Sequence, residues 1–355
     1  MNETSVNPLN ISCPLPMRQD EKIALSHGSG GFMTHELIKN IFQKHFSNSI
    51  LDEGNDAAII EFTPDGGRLV TSIDAHIVSP LFYPGGDIGR LAVSGTVNDI
   101  AMMGAKPLYL TASFIIEEGF SIETLEKIAI SMQSTCLEAG VKIIAGDTKV
   151  TQKGKGDGLY ISTTGLGWLP DNRDIRGQNA KVGDSVLVTG TLGDHGIAIL
   201  QARGELGFES DIQSDVNPLN QMLDDLLNEV LSVHVMRDPT RGGLGTTLVE
   251  ISRQSNVCIQ VEEDLLPIRS EVRTACEMLG FDPIYIANEG KAVIILPESD
   301  AEKALSSLQR HPYGKDAVKI GSVIDNKQAR VLMQTPFGSK RIIEMLSGEM
   351  LPRIC

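Results

Sequence analysis

Apolar positions along this chain recur at two spacings, and the changes from one to the other mark its elements. A helical spacing runs over Thr34–His45, and two stretches, Ala57–Phe62 and Arg68–Ile73, read as strands. Asp87–Met103 and Ser121–Ala139 return to the helical period, with Ser121 a suitable N-cap and Gly140 a suitable stop for the second. Leu108–Ile116, Val141–Ala145 and Leu159–Gly165 read as strands. Strands alternating with helices predict an α/β or α+β first half.

A turn-rich stretch, Leu169–Gly183, carries Pro170, Asp171, Asn172 and Gly177 and places a domain boundary. The mixture then repeats. Ser185–Val188 is a strand, Gly190–Gly196 leads into a helix, and Arg237–Gly243 leads into another. Strands are expected at 257–261, 284–287, 292–296, 317–324 and 329–334, with a helix over Asp300–Arg310. Gly338–Gly348 reads as a short helix stopped by Gly348. After it, Pro352 biases Leu351 to an extended form. The expected organisation is an N-terminal arm at 1–22, a first domain at 23–168, a second at 169–337 and a tail at 338–355.

The 355 residues suffice for two domains with separate cores, and 41% apolar with 22% charged residues is ordinary for globular proteins. A net charge of −15 without any basic stripe argues against nucleic acid. No apolar run approaches the roughly 20 residues of a membrane span, and the polar, Pro-broken N-terminus is not a signal peptide, so the cytoplasm is the expected location. The five cysteines form no CxxC pair, against a disulfide framework or a structural zinc site. Cys136 and Cys276 fall on apolar helical stripes and Cys258 in a strand, all as core residues. Cys355 ends the chain as given, on seven residues from Glu349 that extend to roughly 23–25 Å.

Chemistry gathers in a few places. Asp56, Asp74, Asp99 and Asp147 each lie beside apolar or Gly-rich sequence. Gathered by a fold, such carboxylates need a divalent cation to offset their repulsion; left apart, they are turn and cap residues. Gly28–Gly31 before a helix suits a phosphate-cradling loop, although no Lys-Ser/Thr pair follows as in a Walker A motif. Glu289, in the turn Asn288–Lys291, is a candidate base, and His195 a candidate acid/base or a hydrogen-bonding residue.

Taken together, His27–Gly31, Pro80–Gly86, Gly95–Asp99, Gly146–Val150, Gly190–Gly196, Asp238–Gly243, Ala287–Lys291 and the terminal Leu351–Cys355 resemble the HypE family of hydrogenase maturation factors over His27–Cys355. Single motifs are shared with aminoimidazole ribonucleotide synthetase, selenophosphate synthetase and thiamine monophosphate kinase; the terminal Pro-Arg-Ile-Cys separates the family from them. The resemblance implies a two-domain PurM-like architecture, an α/β domain that dimerises and an α+β domain, with a mobile C-terminal tail. It implies ATP and Mg²⁺ in a cleft, with Asp56, Asp74, Asp99 and Asp147 holding metal and phosphate. His27, Gly28, Ser29, Gly30 and Gly31 would close over the nucleotide, which Thr148 and Asp238 would also contact.

The implied activity is ATP-dependent dehydration of an S-carbamoyl group on Cys355 to a thiocyanate, with Lys149 and Glu289 at the reacting group. A carbamoyltransferase of the HypF type would load the cysteine, and a HypC–HypD-type scaffold would accept the cyanide. Phosphorylating the carboxamide oxygen turns oxide, a poor leaving group, into phosphate. The competing readings are an ATP-dependent enzyme acting on a free small molecule and a nucleotide-dependent scaffold. Neither needs the Cys355 thiol to react.

Overall fold

The structure, a computed structural model, describes residues 22–24, 27, 36–49, 52, 66–207, 211–326 and 328–345. Strands β1 (Arg68–His76), β4 (Lys106–Glu117), β5 (Lys142–Thr151) and β6 (Leu159–Leu169) form a sheet in the order β1-β6-β4-β5, and a small ribbon, β2 (Phe82–Tyr83) and β3 (Gly86–Asp87), lies between the first two in sequence. Helices α1 (Ile88–Met102) and α2 (Ile122–Ala139) pack on one face of the sheet. Asp87 caps α1, accepting the Gly89 and Arg90 N–H groups at 2.7 and 3.1 Å. Ser121 caps α2 by accepting the Thr124 N–H, and Gly140 at φ +72° ends it. Helix α1 is apolar nearly all round because the sheet, α2 and the second domain enclose it.

The second domain is built on a seven-stranded sheet ordered β13-β12-β9-β11-β7-β10-β8. Its strands are β7 (Asp184–Val188), β8 (Val235–Arg237), β9 (Cys258–Glu262), β10 (Val293–Pro297), β11 (Val318–Ile324), β12 (Arg330–Gln334) and β13 (Lys340–Ile343). Helices α3 (Asp194–Ala202), α4 (Asn220–Glu229), α5 (Gly243–Ser255), α6 (Ser270–Leu279) and α7 (Ala301–Leu308) cover it. Val186 and Val188 pack in one core with α5, whereas Leu187 packs in another with α4 and α7. Burial on both faces explains why β10 is a continuous apolar run.

The domains are stitched together by buried polar groups. Asn98 of α1 donates to the Asn217 and Glu289 carbonyls at 3.0 and 3.2 Å and accepts the Leu219 N–H at 2.8 Å. The Arg90 guanidinium pairs with Glu138 and reaches the Val216 carbonyl and Asn217 Oδ1.

The two-domain mixed architecture agrees with the sequence reading, with local corrections. The expected strand at 284–287 is instead a tight 3-10 turn at Pro283–Tyr285, because Pro283 has no N–H for a ladder and Asp282 caps the turn at the Ile284 N–H. The helix expected from Gly338 begins instead as strand β13. Gly338 at φ +82° turns the chain back, so Lys340–Ile343 pairs antiparallel with β12 and buries Ile343. The second domain therefore continues past residue 337. Lys22 bridges to Ser121, so the expected arm joins the first domain at its end. Cys136, Cys258 and Cys276 are free and buried, as expected. The expected strand at Ala57–Phe62, Cys13 and the tail from 346 lie outside the described residues. Among the described residues, no helix is long and apolar enough to cross a membrane.

Candidate active site

Acidic side chains from both domains meet at the junction that Asn98 holds closed. The first domain contributes β1 and α1. Asp74 lies within β1 and faces the helices; Gly95 of α1 makes room for it, since a Cβ there would stand 3.3 Å from Asp74 Oδ2. Its Oδ2 lies 3.8 Å from Nε2 of buried His76. Asp99 is one of the few polar residues of α1 and accepts a 2.6 Å hydrogen bond from Ser72 Oγ.

The second domain contributes loops. Asp238 follows β8, and Glu289 lies in the loop before β10. Asn288 fastens these loops, accepting the Gly193 N–H at 2.7 Å and donating to the Pro239 carbonyl at 2.9 Å. Asp215 Oδ1 accepts the Glu289 N–H at 3.0 Å, and its Oδ2 is 3.2 Å from Lys291 Nζ. Gly290 permits this closeness, because a Cβ there would sit 1.8 Å from the Asp215 carbonyl oxygen.

Crowding of like charge in a buried setting changes these acids. Burial, then the charge of Asp215, push Glu289 well above the usual carboxylate range, with Asp238, Asp74 and Asp99 adding to the effect. Burial, then Asp238, raise Asp99 to about 7, against the opposing hydrogen bond from Ser72. Burial also raises Asp238. Glu289 Oε1 is buried without a hydrogen-bond partner among the described residues.

The Asp99 shift sets a pH dependence. An unfolded aspartate titrates near ~3.9, so between there and about pH 7 the folded state holds the extra proton and stability falls as pH rises. We expect the melting temperature of the ligand-free protein to decline from about pH 5 to about pH 7 and Asp99→Asn to flatten that slope. An unchanged slope would remove Asp99 as its source.

Not every expected site residue arrives here. Asp147 and Lys149 lie within β5, 3.3 Å apart and exposed. Asp74 aligns with Thr163, Ala112 and Gly146 across the sheet, so β5 is three strand spacings away, about 14 Å. Asp147, one residue on, points to the opposite face, as does Lys149, while Thr148 faces the helices. His27 is buried and its Nδ1 accepts the Ala24 N–H at 2.9 Å, a local turn. Gly28, Ser29, Gly30, Gly31, Asp56 and Cys355 lie outside the described residues. His195 is fully buried, 2.8 Å from Ser214 Oγ and edge-on to Tyr83, a packed hydrogen-bonding position.

Three residues at the junction had no role in the sequence reading: Asn98, Asp215 and Lys291. Asn98 and Lys291 stand inside quoted motifs, but nothing local tells a buried tie from a turn residue. Asp215 sits in a polar stretch without any signal.

Comparison with known proteins shows the family. Residues 54–169 match the AIR synthase related protein N-terminal domain, and 181–334 its C-terminal domain. The chain is 49% identical to the carbamoyl dehydratase HypE of Azotobacter vinelandii over 94% of its own length and 97% of the relative's. It superposes with a TM-score of 0.89 on a hydrogenase maturation protein HypE solved with ATP, at 47% identity, covering 93% of this chain and 99% of that one. It also matches a chain of a HypE–HypF complex, with a TM-score of 0.76, 48% identity and 87% and 99% coverage. Sharing both domains and nearly half its residues along almost its whole length, the chain belongs to the HypE family.

Proposed function

We propose that the protein is an ATP-dependent carbamoyl dehydratase that converts an S-carbamoyl group on Cys355 into a thiocyanate. The observation that carries this reading is Glu289. It is a carboxylate buried at the domain junction, with a strongly raised proton affinity and one oxygen left without a hydrogen-bond partner among the described residues. Dehydrating a carboxamide requires removal of N–H protons, and a base of raised pKa is suited to that step. The similar HypE solved with ATP and the carbamoyl dehydratase name of the Azotobacter relative support the same assignment.

ATP supplies the leaving group: the carboxamide oxygen attacks the γ-phosphorus, and phosphate rather than oxide later departs. Asp74 and Asp99 would hold Mg²⁺ together with phosphate oxygens. The fit is electrostatic, since Asp99 is raised to about 7 partly by neighbouring carboxylates, a crowding a hard cation relieves. Bound there, Mg²⁺ would spread the charge of the transferring phosphoryl group.

Lys149 and Asp147 enter from a second copy. Their face of the sheet also exposes Leu69 and Ile73 of β1 and Ile115 of β4, an aliphatic surface that a twin would cover. The chain thus acts as a homodimer with each Lys149 serving the partner subunit's reacting group. A HypF-type carbamoyltransferase loads Cys355, in keeping with the HypE–HypF complex, and a HypC–HypD-type scaffold takes the cyanide for a [NiFe]-hydrogenase iron centre in the cytoplasm.

Intact mass spectrometry tests the reading. Incubation with the carbamoyltransferase and carbamoyl phosphate should add one carbamoyl group at Cys355, and Mg-ATP should then remove one water. ATP consumption with Cys355 unchanged would point to a free small-molecule substrate.

A further inference from the structure

Strand β13 makes its final pair, Ile343 with Val331, and buries Ile343. The next residue, Glu344, has its carbonyl held by the Tyr285 hydroxyl, which donates at 2.9 Å. Met345 and Tyr285 both pack against the same core of the second domain. Within β13, Arg341 pairs with Asp282 at 2.7 Å, and Asp282 caps the turn Pro283–Tyr285 at the Ile284 N–H. Two ties therefore join the end of β13 to that turn. The turn itself has little freedom. A Cβ on Gly243 of α5 would stand 2.7 Å from the Ile284 and Ile286 carbonyl oxygens, and one on Gly245 would stand 2.7 Å from Tyr285 Cε1.

The same turn opens the loop that carries Glu289. Tyr285 precedes Glu289 by four residues, which span at most ~14 Å. Asn288, between them, is fastened to the Gly193 N–H and the Pro239 carbonyl. The ten residues from Leu346 to Cys355 can extend to roughly 33–36 Å. A tethered group meets its target at high effective concentration only when the fixed end of the tether lies within reach of that target. We propose that Tyr285 is a positioning residue for the tail. Its hydroxyl, together with the Arg341–Asp282 ion pair, anchors the root of the tail to the turn that opens the Glu289 loop, and so sets the point from which Cys355 reaches the site. This rests on the carbamoyl dehydratase reading above. Tyr285 acts through the Glu344 carbonyl, and no bond made or broken at the reacting carbon involves it.

Tyr285→Phe in the full-length chain tests this, since it keeps the ring against Gly245 and removes only the hydroxyl. Cleavage after Glu344 by a glutamate-specific protease, measured against cleavage after Glu349, should become about threefold faster, as expected on losing one hydrogen bond. That readout needs no activity. Single-turnover thiocyanate formation from carbamoyl carried on Cys355 should slow about threefold, and about tenfold when Arg341→Ala is added, with ATP affinity unchanged. A carbamoylated peptide of the tail sequence has no root to anchor. Supplied to Cys355→Ala, it should turn over equally well with and without Tyr285→Phe. A residue that merely supports the Glu289 loop would slow the tethered and the free substrate alike. Unchanged cleavage after Glu344, an unchanged rate with the tethered group, or equal losses for tethered and free substrate overturns the assignment. Failure of the wild-type chain to form thiocyanate overturns the dehydratase reading instead, and the protease result still decides whether Tyr285 anchors the root.

Discussion

Replacing Cys355 by alanine is expected to abolish thiocyanate formation while nucleotide affinity stays within about twofold of wild type. In the proposed reaction the sulfur carries the reacting carbon, so its loss leaves no substrate. Asp74, Asp99 and Asp238 are positioned instead by β1, α1 and the loop after β8. Tethering also replaces diffusion with an effective concentration near ~1 mM for a short flexible linker. A carbamoylated peptide of the tail sequence, added at about that concentration, should restore turnover to Cys355→Ala. Isothermal titration with ATP and intact mass spectrometry read the two halves of this result. Weakened ATP binding in Cys355→Ala would place the thiol in the nucleotide site rather than on the substrate.

Glu289→Gln is the second large effect. The substitution keeps size and hydrogen-bonding reach but removes the proposed base, and acid–base groups commonly supply about 10²- to 10⁴-fold. We expect a loss in that range in thiocyanate formation, with carbamoyl loading retained. With the first proton in place the oxygen is a poorer nucleophile, so ADP and thiocyanate should fall together. The variant also reports on the proposed dimer. Lys149→Ala and Glu289→Gln proteins, each inactive, should recover about a quarter of wild-type activity when unfolded and refolded together. Half of the mixed population is heterodimer, and one of its two sites holds both native residues only if Lys149 acts on its partner. No recovery would place Lys149 and Glu289 in one chain's site, against the distance and facing seen across the sheet.

Several features of the fold were readable from one sequence because they are local. The two ends of α2 follow from Ser121 and Gly140, whose capping chemistry acts within one turn. The buried run at β10 and the apolar stripes of Cys136 and Cys276 follow from periodicity. Where local signals competed, the longer-range partner won: strand β13 exists because β12 lies beside it, and β1 and β5 run on past Ile73 and Ala145 because each pairs along its full length.

The candidate acids divide in the same way. The sequence marked Asp56, Asp74, Asp99 and Asp147 as carboxylates in unusual surroundings and Glu289 as a candidate base, and its motif set identified the family. It had no means of showing that Asp74 and Asp147 point to opposite faces of one sheet, because facing depends on register between strands distant in the chain. Nor did it mark Asp215, which gains its meaning only where Gly290 lets two loops touch and Lys291 pairs with it. Residue type and spacing therefore determined which elements form and which chemistry is available. Tertiary packing decided which charges share a buried space, because burial and distance, not sequence order, set how strongly they act on one another.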